Sequence, residues 1–155
     1  LAYNGLGDVF VMLFFGFVAV CGTTFVQALY VPDLALLASI PIGALATAIL
    51  AVNNVRDVEG DAEAGKRTLV VRFGRQSGVR EYVFLLVLAY AAPVLMLALG
   101  WAGPLVLLPL LTIPWGVRLA RSVAGDRGTA LNDTLAGTAK LLSVYGILFA
   151  LGIML

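Results

Sequence analysis

The sequence predicts an all-α protein, a multi-pass bundle of five transmembrane helices. Three observations carry that expectation. Hydrophobic residues make up 61% of the 155 residues and charged ones only 12%. A soluble domain carries roughly 25% charged residues, so a water-facing surface could not be covered. Charge-free runs recur along the chain, and a helix crossing a bilayer needs about 20 mainly apolar residues. All ten Lys and Arg gather at or beside one set of junctions between those runs. Composition also excludes. Histidine is absent, which removes Ser-His-Asp triads, His–metal sites and His acid–base chemistry together. The lone Cys21 leaves no intrachain disulfide framework and no Cys-rich zinc site. A net charge of +1 gives no reason to expect a nucleic-acid partner. The chain opens Leu1-Ala2-Tyr3, without an initiator Met or a basic leader, so no signal peptide is expected and an internal fragment of something longer is.

The spans follow in order. The first is expected over 9–31, between Asp8 and Asp33, and the second over 34–55. A polar stretch, 56–81, holds most of the charges. The next charge-free run, Tyr82 to Val117, has 36 residues, too many for one helix. It is broken by Gly100-Trp101-Ala102-Gly103-Pro104, a natural hairpin of glycine at a helix end followed by proline. That divides it into spans over 82–99 and 104–123, the second interrupted by Pro109 and Pro114. The last span is expected over 135–155, with Lys140 near its entrance.

Five crossings put the 56–81 and 118–133 loops on one side. Six Lys and Arg fall in the first loop and four around the second, while the opposite turns carry none. The positive-inside rule then predicts a plasma-membrane protein with both long loops in the cytoplasm. Gly43, Ala44, Ala46, Thr47, Ala48 and Ala51 make the second helix small-sided, which suits a central place in a membrane bundle. Ordinary Ala-rich composition would give the same residues.

The second span runs into Asn53-Asn54-Val55-Arg56-Asp57-Val58-Glu59-Gly60-Asp61-Ala62-Glu63-Ala64-Gly65-Lys66-Arg67-Thr68-Leu69. If helix continues through Asp61, then Asn53, Asp57 and Asp61 form one stripe, drifting by about 40° per step. Asn54 joins its flank, and Glu59 and Glu63 point the other way. Two carboxylates one turn apart at a membrane boundary repel unless a cation sits between them. All-oxygen ligands suit Mg²⁺ or Ca²⁺, and Mg²⁺ commonly completes its shell with water and substrate phosphates. The stripe is therefore a candidate metal–diphosphate site. Lys66, Arg67, Arg72 and Arg75 follow at the same mouth, able to neutralise phosphate, and Gly60 and Gly65 permit the backbone to bend. A mixed-charge loop beside a span carries such residues without any site, so both readings stand at this point.

The stretch from Asn53 to Leu69 resembles the second aspartate-rich motif of the UbiA-type intramembrane prenyltransferases, in the form of their menaquinone branch. Gly5-Leu6-Gly7-Asp8-Val9-Phe10, with Phe14-Phe15-Gly16 and Val26-Gln27, is similar to that branch's fifth membrane helix. Leu135-Ala136-Gly137-Thr138-Ala139-Lys140 is similar to its last one. The resemblance implies a nine-helix fold around a central cavity, of which the five spans would be the C-terminal part. It implies Mg²⁺-dependent transfer of a polyprenyl group from a polyprenyl diphosphate to 1,4-dihydroxy-2-naphthoate, with loss of CO₂ and diphosphate. Asp57 and Asp61 would be the catalytic residues and metal ligands, and Asn53, Asn54, Lys66 and Arg67 would bind the diphosphate. The family's first aspartate-rich motif has no counterpart here. The partner is then expected to be the N-terminal half of the same enzyme, and this fragment alone to be inactive. Tyr3 and Tyr145 are set aside as acceptor-site residues, since interfacial tyrosines are common without function. Another aromatic acceptor such as 4-hydroxybenzoate is the alternative within the family; a transporter or scaffold segment is the alternative outside it.

Overall fold

The computed structural model describes residues 5–155, and every regular element among them is helical. Five helices have the length and apolarity of membrane spans: α1 (Gly7–Ala28), α2 (Asp33–Arg56), α5 (Arg75–Ala98), α6 (Pro104–Gly125) and α7 (Gly128–Met154). Two short helices, α3 (Val58–Glu63) and α4 (Leu69–Phe73), lie between α2 and α5. The chain is a multi-pass membrane helix bundle. Tyr3 lies outside the described residues.

Local sequence explains the ends and irregularities. α2 starts directly after Pro32, whose extended backbone precedes Asp33 in the first turn, where a carboxylate complements the helix dipole. α1 carries a π-helical stretch over Met12–Val18 that contains Gly16. Gly16 meets α2 at Gly43: a Cβ on Gly16 would lie 2.8 Å from the Gly43 Cα. Without a hydrophobic drive between helices in lipid, such small-residue contacts are what let two backbones pack. α6 begins as a 3₁₀ helix over Pro104–Thr112 and becomes α-helical at Ile113. Pro109 lacks the N–H that an α-helix would need there, and the Thr112 hydroxyl donates to the Pro109 carbonyl at 2.7 Å.

α2 is the centre of the bundle. Its small residues Gly43, Ala44, Thr47, Ala48 and Ala51 are buried, and it packs against α1, α5 and α7. Buried hydroxyls are satisfied within the bundle, as an apolar surrounding demands. The Tyr82 and Thr138 hydroxyls are 2.9 Å apart, and Tyr145 donates to the Ala89 carbonyl at 2.6 Å. Tyr145 is fully buried in this structural role.

Part of the expected 56–81 loop is helix. α5 begins at Arg75, and α3 and α4 occupy much of the remainder. Charge-free runs mark the hydrocarbon-depth part of a helix, whereas α5 extends two further polar turns. α7 likewise begins at Gly128, ahead of the apolar run that starts at Leu135. Up-and-down connectivity brings the start of α1, the end of α2, α3, α4 and the starts of α5 and α7 to one end of the bundle.

Candidate functional site

At that end a pocket of about 390 Å³ is lined by Asp8, Phe10, Val11, Leu50, Asn53, Asn54, Asp61, Lys66 and Thr68, together with Gly5 and Gly7. Small-molecule sites typically occupy roughly 300–1,000 Å³. A larger groove of about 670 Å³ lies between α5 and α6. Its walls are apolar side chains with Tyr90 and Arg121, and no carboxylate lines it. The pocket at the polar end has the groups that chemistry needs.

Its geometry grows from the backbone of 57–69. α2 ends where Asp57 takes φ −101° and ψ 15°, the sparsely populated bridge region. Hydrogen bonding nevertheless runs through the break, from Asp57 N–H to the Asn53 carbonyl at 3.0 Å and from Asp61 N–H to the Asp57 carbonyl at 2.8 Å. α3 then ends in a Schellman turn. The Lys66 N–H reaches the Asp61 carbonyl at 2.9 Å and the Gly65 N–H reaches the Ala62 carbonyl at 3.1 Å. Gly65 supplies the left-handed residue of that turn, at φ 72°. The reversal swings Lys66 back over α3, where its ammonium donates to Asp61 Oδ1 at 2.6 Å. Thr68 caps α4 by accepting the Val71 N–H at 3.3 Å.

The expected bends are therefore redistributed. Gly60 lies inside α3 and does not bend; the break is at Asp57 and the reversal at Gly65. The expected stripe is interrupted too. Asn53 and Asp61 line the pocket and Asp57 does not. Arg56 holds both oxygens of Asp57, at 2.7 Å from Nε and 2.6 Å from Nη2, and also donates to Asn53 at 2.7 Å and to Asn132 of α7 at 3.0 Å. The guanidinium beside it holds the Asp57 carboxyl below its ordinary value, against the opposing effect of desolvation, with the Lys66 charge adding a smaller contribution.

Asp61 is the buried acid of the site, 5% exposed. A carboxylate at that depth requires a counter-ion, and Lys66 provides one. Asn54, 6% exposed, donates from Nδ2 to Asp8 Oδ1 at 3.4 Å. Arg67 is exposed and does not line the pocket. Its backbone carbonyl abuts Gly5, where a Cβ would overlap it. Glu59 and Glu63 are exposed, pointing away as expected. Arg75 is not at the mouth. Its guanidinium donates to the carbonyls of Val123 at 2.7 Å, Ala124 at 2.8 Å and Asp126, tying the start of α5 to the end of α6.

The pocket's acidic and amide oxygens on the α2–α3 side, from Asp61, Asn53 and Asn54, are hard donors of the class that Mg²⁺ takes. Among the described residues no three Asp, Glu, Cys or His side chains converge on one point. These donors could hold such an ion only as part of a shell that water and phosphate complete. Asp57 would join it by turning from Arg56.

Asp8 and Thr68 were not among the expected site residues. Thr68 lies in the motif itself but reads as a helix cap. Asp8 carried a usable signal, being an acid at the start of an apolar span on the same side as the charged loops.

Sequence comparison with known proteins places this chain in a family. The profile of the UbiA prenyltransferase family matches residues 1–152. A 1,4-dihydroxy-2-naphthoate octaprenyltransferase of Haemophilus influenzae is 36% identical, covering 99% of this chain and 50% of the relative. One of Mycobacterium leprae is 37% identical, covering 96% and 50%. The UbiA prenyltransferase domain-containing protein 1 of Homo sapiens is 36% identical, covering 99% and 44%. The chain spans about half the length of these curated relatives. No solved structure gives a significant match. With matches along nearly its whole length, the chain belongs to the UbiA prenyltransferase family.

Proposed function

We propose that the complete protein to which this chain contributes transfers a polyprenyl group from an allylic polyprenyl diphosphate to 1,4-dihydroxy-2-naphthoate in menaquinone biosynthesis. Diphosphate and CO₂ are released, and Mg²⁺ is the cofactor. One observation carries the reading: a buried carboxylate, Asp61, faces an apolar-walled pocket beside Lys66 and the Asn53 and Asn54 amides, at the polar end of a membrane bundle. The names of the bacterial relatives support the naphthoate acceptor.

In this reading Asp57 and Asp61 hold Mg²⁺, which when bound supplies Lewis-acid stabilisation to the departing diphosphate oxygens. The amides of Asn53 and Asn54 orient the diphosphate. Lys66, with Arg67 at the rim, balances the negative charge that grows on the leaving group. Phe10, Val11 and Leu50 keep water from the allylic carbon. The positive-inside distribution supports a mouth at the cytoplasmic face of the plasma membrane, with the N-terminal half of the same protein supplying the rest of the cavity in this reading. Incubating membranes that contain the complete protein with labelled prenyl diphosphate and aromatic acids, with and without Mg²⁺, tests the proposal. Absence of labelled prenylated product with every acid overturns it.

A further inference from the structure

We infer that Asp8 binds a ring hydroxyl of the aromatic acceptor and so sets the acceptor's orientation, an inference that rests on the prenyl-transfer reading above. The pocket's lining is of two kinds. Asn53, Asn54, Asp61, Lys66 and Thr68 supply polar groups; Phe10, Val11 and Leu50, with Gly5 and Gly7, supply apolar surface. Asp8 is the charged residue of the α1 side.

Its place there is built by packing. Gly5, at φ 71°, lets the chain close against the Arg67 carbonyl, and a Cβ on Gly7 would lie 3.3 Å from Leu50 Cδ2. The α1 start is thereby pressed against both α2 and the 66–68 segment. Asp8 takes the Asn54 amide at a long 3.4 Å and forms no ion pair among the described residues. On its other side it shares a second cavity of about 420 Å³ with another acid, Glu81. One Glu81 oxygen, Oε2, is buried without a hydrogen-bond partner. The carboxylate of Asp8 is thus left with capacity to accept.

Elimination among the reactants then identifies what it accepts. An ionised carboxylate accepts hydrogen bonds and donates none. An ionised diphosphate likewise only accepts, and its charge is repelled by Asp8. The isoprenoid chain has no donor, and the carboxylate of the aromatic acid carries the same sign as Asp8. One of the acceptor's two ring hydroxyls is the donor that remains among the reactants. A flat ring laid on Phe10, Val11 and Leu50 puts that hydroxyl beside Asp8 and its other edge toward the polar groups, where the diphosphate departs.

The test uses the complete protein in membranes and the Asp8→Asn variant. The probes are 1,4-dihydroxy-2-naphthoate, its O-methyl ethers and the prenyl diphosphate. A hydrogen bond to a charged group lost from the complex corresponds to about a 10- to 100-fold change in affinity. The acceptor KM is expected to rise by about that factor in the variant, with the KM for prenyl diphosphate and the Mg²⁺ dependence unchanged. Methylating the hydroxyl should weaken inhibition by a similar factor in the wild type and have little effect in the variant. Three results would overturn the inference: an unchanged acceptor KM, a rise in the prenyl diphosphate KM alone, or an altered Mg²⁺ dependence. The last would mean that Asp8 binds water on the ion. If Asp8→Asn does not accumulate, Asp8→Ala, which also removes the carboxylate, carries the same comparison. Failure of the wild type to prenylate any acid would instead sink the underlying proposal.

Discussion

Lys66 and Asp61 meet at 2.6 Å because the Schellman turn at Gly65 folds the chain back across one turn of helix. The ion pair thus depends on a backbone conformation that only glycine adopts without strain. Forcing a Cβ into the left-handed region costs about 1–2 kcal/mol. Gly65→Ala is therefore expected to lower the thermal midpoint of the purified protein and raise the KM for prenyl diphosphate. Gly60→Ala lies inside α3 with open space around its Cβ, and should be neutral or stabilising by up to about 1 kcal/mol. The same thermal scans check both; equal effects would contradict the turn assignment.

Arg56 predicts a pH dependence. Its fork holds the Asp57 carboxyl below the ordinary value, so the folded state binds that proton more weakly than the unfolded state. The stabilisation is fully present above the unfolded value, about 3.9, and is lost as pH falls through the lower folded value. Arg56→Gln should move the Asp57 titration upward, since the guanidinium is the main cause of its lowering. Carboxyl-carbon NMR of labelled protein in detergent measures it, and an unmoved titration would show that the guanidinium does not set the value.

Arg75 separates structure from catalysis. Its three carbonyl acceptors end α6, where a cation suits the helix dipole. Arg75→Gln should lower the thermal midpoint while leaving the KM for prenyl diphosphate within about twofold, since a residue away from the pocket removes no ligand contact. A large KM change with unchanged stability would return Arg75 to the site.

The α1–α2 contact predicts a packing cost. A Cβ on Gly43 would lie 2.7 Å from Met12 Sδ and 2.9 Å from the Met12 carbonyl oxygen. The sulfur can move and the backbone cannot. Gly43→Ala should destabilise by about 1–3 kcal/mol, read as a lower thermal midpoint. A neutral result would mean the two helices are not in this contact.

Each charge-free run falls within one of the five long apolar helices, because length and apolarity can be read from composition. They could not show that α5 begins at Arg75, since its first turns are polar. The 3₁₀ start of α6 was foreshadowed by Pro109; the π stretch of α1, where Gly16 packs on Gly43, had no such mark. At the site, spacing put Asn53, Asp57 and Asp61 on one stripe. Local competition then separated them, as Arg56 captured Asp57 and the turn at Gly65 gave Asp61 to Lys66. Asp8 was the hardest to foresee, because its partner Asn54 is 46 residues away and only the packing of α1 on α2 brings them together.

The proposed role of Asp61 as anchor of a metal–diphosphate site for prenyl transfer can be checked in a single assay. Membranes containing the complete protein, as wild type, Asp61→Asn or Glu63→Gln, are given labelled prenyl diphosphate and 1,4-dihydroxy-2-naphthoate across a Mg²⁺ series. Wild type and Glu63→Gln should form labelled product in a Mg²⁺-dependent manner, and Asp61→Asn should fall by about 100-fold or more, the scale of losing one transition-state charge contact. Undiminished turnover in Asp61→Asn at equal protein levels would contradict the account.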